Sequence, residues 1–163
     1  MKLRRTVGTL AVLLLLLVGG WYFGSPWWTL WQMKKAADAR DVARLFTYID
    51  VPAVRQGMET QLRTKLTVPN VVAIIRGWDN RRALDLAELA LSGEGMRTIF
   101  SKECLNGRDS APLGMCAADM RVRYGGFNEF RLARRDWADG GLVFARRGIG
   151  WQLVDIRIPT ERR

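Results

Sequence analysis

The residue type most often called on for acid-base and metal chemistry never occurs in this chain: its 163 residues include no histidine. The usual base for a serine or cysteine nucleophile and the commonest metal ligand are therefore both missing. Catalysis would fall to carboxylates or lysine. Asp85 and Glu88 stand three apart and would share one face of a helix, but a solvated helical surface produces the same spacing. The glycine pairs Gly125-Gly126 and Gly140-Gly141 lack the flanking spacing and lysine of a phosphate loop and read as hairpin turns. No catalytic residue, cofactor or metal site is expected, and the chain is not expected to be an enzyme.

Cys104 and Cys116 are the only cysteines. Two thiolates without histidine make an incomplete zinc shell. In an oxidising compartment they would close a surface loop containing Gly107, Pro112 and Gly114; in a reducing one they would be two free thiols. Arg121, Arg123, Arg131 and Arg157 recur with a period of two inside apolar stretches. That pattern could line one face of a sheet and grip anionic headgroups or an acidic partner, and it also describes an ordinary solvent face.

The element that would position these groups is at the N-terminus. Thr6 to Phe23 carries no charge, is centred on the run Ala11 to Val18 and follows Lys2, Arg4 and Arg5. As a helix it would reach about 27 Å, close to the hydrocarbon thickness of a bilayer, with Trp21, Tyr22, Trp27 and Trp28 as an interfacial anchor and Trp31 just beyond. A cleaved secretory signal has the same outline. Its cleavage site would have to be Val18-Gly19-Gly20, followed by the bulky Trp21-Tyr22-Phe23, and the reading adopted is a retained anchor.

Basic residues ahead of the run place the N-terminus in the cytoplasm and the remainder outside. The expectation is a single-pass protein of a bacterial inner membrane with a periplasmic domain. Membrane lipids are the partner of the N-terminal helix, and an envelope protein is a candidate partner of the domain. The net charge is +10, with Lys2, Arg4 and Arg5 supplying three of those charges. No basic run in the exported part exceeds two residues, so nucleic acid is not expected as a partner. The sequence leaves the oligomeric state open.

Beyond the anchor, residues 25–163 are expected to form one α+β domain: helical over 25–100, a cysteine loop over 101–118, and an antiparallel sheet over 119–159. Ser25-Pro26 reads as a helix opening, a hydroxyl cap with proline at the first helical position. Short helices are expected over Asp41 to Phe46 and Glu94 to Phe100. Asp50 with Val51-Pro52 repeats the cap signal, and Val51, Val54, Met58, Leu62 and Leu66 continue at helical steps. Pro69 to Ile75 reads as a helix turn, and Arg81 to Leu91 as a helix stopped by Ser92-Gly93. From Met120 the period becomes two, and tight glycine turns separate four strands: Met120 to Tyr124, Phe127 to Arg134, Leu142 to Arg147 and Trp151 to Pro159. Turns that short require antiparallel pairing. Helices first and strands afterwards imply helices packed on one face of the sheet.

Two ends of the chain carry a resemblance. Ser25-Pro26-Trp27-Trp28-Thr29-Leu30, then Ala36-Ala37-Asp38-Ala39-Arg40-Asp41 and Tyr48-Ile49-Asp50-Val51-Pro52-Ala53-Val54-Arg55, resemble the opening of the bacterial domain-of-unknown-function family 2939. Arg147-Gly148-Ile149-Gly150-Trp151-Gln152-Leu153-Val154-Asp155-Ile156-Arg157-Ile158-Pro159 is similar to its closing strand. The resemblance implies an exported or membrane-anchored protein and supplies no catalytic residues. A looser likeness, helices followed by a sheet ending in Trp-x-Leu-x-x-Ile, is to nuclear-transport-factor-2-like cone folds, which implies a pocket between helix and sheet and nothing firm about function. Two functions remain open: a non-enzymatic binding or assembly module at the bilayer surface, or a pocketed domain that binds or turns over a small ligand.

Overall fold

The computed structural model describes residues 2–65, 88–89, 91–105, 115–137 and 139–158. Helix α1 spans Lys2–Asp38, α2 Val42–Phe46, α3 Val51–Lys65 and α4 Gly93–Phe100. Two 3-10 turns, Lys102–Leu105 and Ala117–Asp119, lead into strands β1 (Arg121–Tyr124), β2 (Glu129–Ala133), β3 (Gly141–Arg147) and β4 (Gly150–Arg157). The sheet order β1-β2-β3-β4 is the antiparallel meander that the glycine turns demand. The expected helices over Pro69 to Ile75 and Arg81 to Leu91 lie largely outside the described residues, although residues 88–89 and 91 are helical.

One expectation is corrected. Ser25-Pro26 does not open a new helix, because α1 runs unbroken through it with Pro26 inside. A proline there deprives the Tyr22 carbonyl of its usual i+4 donor. The Ser25 hydroxyl donates to that carbonyl at 2.9 Å, and Thr29 Oγ1 donates to Ser25 O at 3.2 Å. The lost backbone bond is thus replaced from the side chains, and no break separates the apolar N-terminal half of α1 from the half that packs on the domain.

Termini of the other elements follow local chemistry. Arg40, at φ 57°, ends α1: Arg40 N donates to Ala37 O and Asp41 N to Ala36 O, the paired bonds of a left-handed C-terminal cap. Asp41 caps α2 through Arg44 N, Asp50 caps α3 through Ala53 N, and Ser92 caps α4 through Gly95 N.

The core lies between the helices and the inward face of the sheet. Met33, Ala36 and Ala37 of α1, Leu45 of α2, Val54 and Met58 of α3, and Met96, Ile99 and Phe100 of α4 meet Phe130, Leu132, Leu142, Phe144, Trp151, Leu153 and Ile156. The Phe130 ring stacks on Phe144 with centroids 4.6 Å apart and meets Trp151 edge-on at 4.9 Å. Such aromatic pairs are each worth about 0.5–1.5 kcal/mol beyond the area they bury.

The outer edge of β4 is covered by parts of the chain far away in sequence. Leu153 N donates to Tyr48 O at 2.8 Å and Asp50 N to Leu153 O at 2.9 Å. Further along, Gln61 donates to Ile156 O and accepts from Ile158 N. An edge otherwise open to strand addition is thereby closed. Gly57 lies at the close approach of α3, where an added Cβ would force the Asp155 carboxylate to shift.

Candidate functional site

The candidate site is the junction where α1 leaves the sheet. On the far side of this junction Leu10, Val12 to Val18, Trp21 and Phe23 are exposed, and the helix is long and apolar enough to cross a membrane. On the near side the same helix enters the core, with Ser25, Thr29, Met33, Ala36 and Ala37 on its buried face. Trp27, Trp28 and Trp31 are exposed, with Trp28 and Trp31 in contact at 5.2 Å between ring centroids.

The junction is fastened by polar and aromatic contacts to one end of the sheet. Trp151 Nε1 donates to Ser25 Oγ at 2.9 Å, so the hydroxyl that repairs the proline gap also satisfies the buried indole. Tyr124 OH donates to Phe23 O at 2.9 Å, and Tyr22 OH donates to Phe127 O. The Arg146 guanidinium lies between two rings, 4.7 Å from the centroid of Tyr22 and 4.5 Å from that of Trp151. Its Nε and Nη2 are buried without a hydrogen-bond partner among the described residues. The cation is therefore held by ring faces, an interaction worth up to about 2 kcal/mol when desolvated.

Among the described residues, each one singled out in the sequence now has a place. Of the four interfacial aromatics, Trp21, Trp27 and Trp28 face outward, whereas Tyr22 turns to the sheet as a docking residue. Arg123 stands opposite Arg131 across the β1–β2 ladder, and Arg121 is opposite Ala133, so period two puts these three arginines on one face. Arg157 shares that face on β4, the opposite edge strand, where it pairs with Asp155 at 3.3 Å. Ala133 and Val143 on the same face are buried, so the arginines border a covered strip rather than an open plane. Arg131 Nη1 donates to Asp139 O at 3.3 Å and Arg123 Nη2 to Arg134 O at 3.5 Å. Asp85 lies outside the described residues, and Glu88 is exposed.

Cys104 and Cys116 form a disulfide, with Cα atoms 5.6 Å apart and both side chains buried. Beside it, Arg97 of α4 is buried and meets two carboxylates, Glu94 at 2.6 Å and Glu103 at 3.0 Å. Hydrogen bonding to Glu94, and then to Glu103, raises the Arg97 guanidinium above its ordinary value. The reciprocal hydrogen bond holds the Glu94 carboxyl below its own. Sequence reading missed this triad because Glu103 reaches Arg97 only after the chain turns at Ser101. It also missed the docking roles of Arg146 and Ser25, which depend on Tyr22 and Trp151 respectively, each more than a hundred residues away.

The segments that carried the family resemblance meet here. Ser25 bonds Trp151, and Tyr48 and Asp50 pair with Leu153.

Residues 15–85 match the model of a family described as a protein of unknown function, DUF2939.

The family resemblance read in the sequence holds over that segment, which contains all of α2 and α3 and the docking half of α1. The closing strand lies outside the matched residues. Comparison with curated proteins and with solved structures gives no match. DUF2939 brings no catalytic residue to place on this chain, so the chemistry of the site rests on its own geometry: an exposed apolar helix, a cation clamped between rings and a disulfide-bonded domain.

Proposed function

We propose that the protein is a membrane-anchored envelope module that acts by association rather than catalysis, with its N-terminus cytoplasmic and its domain held against the outer surface of a bacterial inner membrane. The observation that carries this reading is the continuity of α1, exposed and apolar over Val12 to Val18 and packed on the domain by one buried face from Ser25 onward. A helix that both crosses a bilayer and forms part of the core fixes the domain's height and tilt at the surface, which a flexible tether would not do. The disulfide fits an oxidising compartment.

Among the described residues, Phe130, Phe144, Leu142, Leu153 and Ile156 are fully buried where helices meet the sheet. That packing favours an association module over a domain built around a ligand pocket. The surface arginines Arg121, Arg123 and Arg131 supply a basic face for an acidic partner. The test is affinity capture from native membranes with the intact protein and with an Arg121→Glu, Arg123→Glu variant. A co-purifying protein lost in the variant, more completely at low salt, supports the reading. A bound small molecule recovered without a protein partner would overturn it in favour of the pocketed alternative.

A further inference from the structure

The two turns at the docking end of the sheet expose large apolar side chains that no part of the fold requires there. Phe127, in the β1–β2 turn, is 82% exposed, and Ile149, in the β3–β4 turn, is 88% exposed, the two highest values among the large hydrophobic residues described. A hairpin turn is normally built from polar residues and glycine, and the glycines are present here as Gly125-Gly126 and Gly148. The turns therefore have their geometry without Phe127 and Ile149.

Their location names their partner. Tyr22 OH donates to the backbone carbonyl of Phe127 itself, and the two rings lie 6.2 Å apart. Tyr124, at the start of the same turn, contacts Phe23 at 6.1 Å and donates to its carbonyl. Ile149 is two residues from Trp151, which bonds Ser25. Arg146 N donates to Asn128 O, tying the two turns side by side. Both tips are thus held at the level of Tyr22 to Ser25, where α1 leaves the domain. Val18, at the end of the leucine-rich run, is only about 6 Å further along the helix at its ordinary rise.

We infer that the β1–β2 and β3–β4 turns are a second membrane contact, in which Phe127 and Ile149 enter the interfacial layer of the bilayer beside α1. The inference rests on the reading of α1 as a span. Arg146, clamped behind the tips, holds a positive charge at headgroup level, while the apolar tips reach past it toward the acyl chains. Exposed Trp21, Trp27 and Trp28 continue the same belt on α1. The domain would then be pinned at three points, the helix and two turns, so that it presents a fixed face to the compartment.

The experiment uses the full chain reconstituted in vesicles of phosphatidylethanolamine and phosphatidylglycerol. Single cysteines are introduced by Phe127→Cys, Ile149→Cys, Arg135→Cys and Leu14→Cys, and each is labelled with an environment-sensitive fluorophore; Cys104 and Cys116 do not compete while they are joined. Arg135, exposed between β2 and β3, reports on the opposite end of the sheet, and Leu14 on the span. Labels at 14, 127 and 149 are expected to be blue-shifted, quenched by nitroxide lipids and shielded from iodide, whereas the label at 135 is quenched by iodide alone. Shielding at 14 with open iodide access at 127 and 149 would overturn the two-turn contact while leaving the span intact. Iodide access at 14 as well would overturn both. Shielding of 127 and 149 in native membranes but not in pure lipid vesicles would assign the tips to a protein partner and would likewise overturn the lipid contact.

Discussion

Trp151 and Ser25 share one hydrogen bond, 2.9 Å long and buried, between the last strand and the middle of the first helix. The indole can only donate, so it needs an acceptor, and the serine hydroxyl can accept from it while donating onward to the Tyr22 carbonyl that Pro26 leaves without a backbone partner. One hydroxyl thereby settles two polar groups and joins the apolar half of α1 to the sheet.

Replacing that hydroxyl should be costly. Ser25→Ala leaves the Trp151 N–H and the Tyr22 carbonyl unpaired near the core, and the expected loss is about 1–3 kcal/mol for an unsatisfied buried group. Urea unfolding of the full chain in micelles should show a lower midpoint for Ser25→Ala than for Thr29→Ala, which loses only a back-bond of 3.2 Å. Equal midpoints would mean that the proline gap is settled in some other way.

The Glu94–Arg97–Glu103 triad gives a pH signature. The Glu94 pKa is lower in the folded chain than its ordinary value of 4.5, first because of hydrogen bonding to Arg97. A depressed carboxyl contributes stability that is present above the unfolded value and lost as pH falls through the folded one. Glu94→Gln should therefore destabilise the domain at neutral pH and lose that penalty in acid, flattening the acid limb of stability against pH. Parallel wild-type and variant curves below pH 4.5 would remove the triad from the account.

The disulfide should matter on the scale of the whole domain's margin. Closing the loop between Cys104 and Cys116, separated by 12 positions, is worth about 3 kcal/mol by the chain-entropy estimate. Non-reducing peptide mapping should find the two joined, and a Cys104→Ser, Cys116→Ser variant should unfold at lower denaturant. Two alkylatable thiols in protein purified under oxidising conditions would contradict the pairing.

The meander was legible because a period of two broken by Gly125-Gly126, Gly140-Gly141 and Gly148 allows few other arrangements. The cap at Asp50 was also readable, being local chemistry between residues three apart. Ser25-Pro26 misled because the pair that opens a helix can also be carried inside one when the serine replaces the missing bond. That choice depends on Trp151, which no local window contains. The arginines of β1 and β2 were placed on one face by alternation alone, yet the burial of Ala133 and Val143 among them is a tertiary fact. The role of Arg146 was not legible, because nothing in Ala145-Arg146-Arg147 announces that Tyr22 will cross its face.

The central claim is that α1 stays in the chain as a membrane span continuous with the domain, and intact-mass measurement of the protein extracted from carbonate-washed membranes tests it most directly. The account predicts the uncleaved N-terminus in the membrane pellet. It also predicts loss of insertion in a Leu14→Arg, Leu16→Arg variant, since each charge at the centre of a span costs about 2.5–3.5 kcal/mol on insertion scales. A soluble form beginning near Trp21 would contradict it, showing that the apolar half of α1 is a signal removed on export.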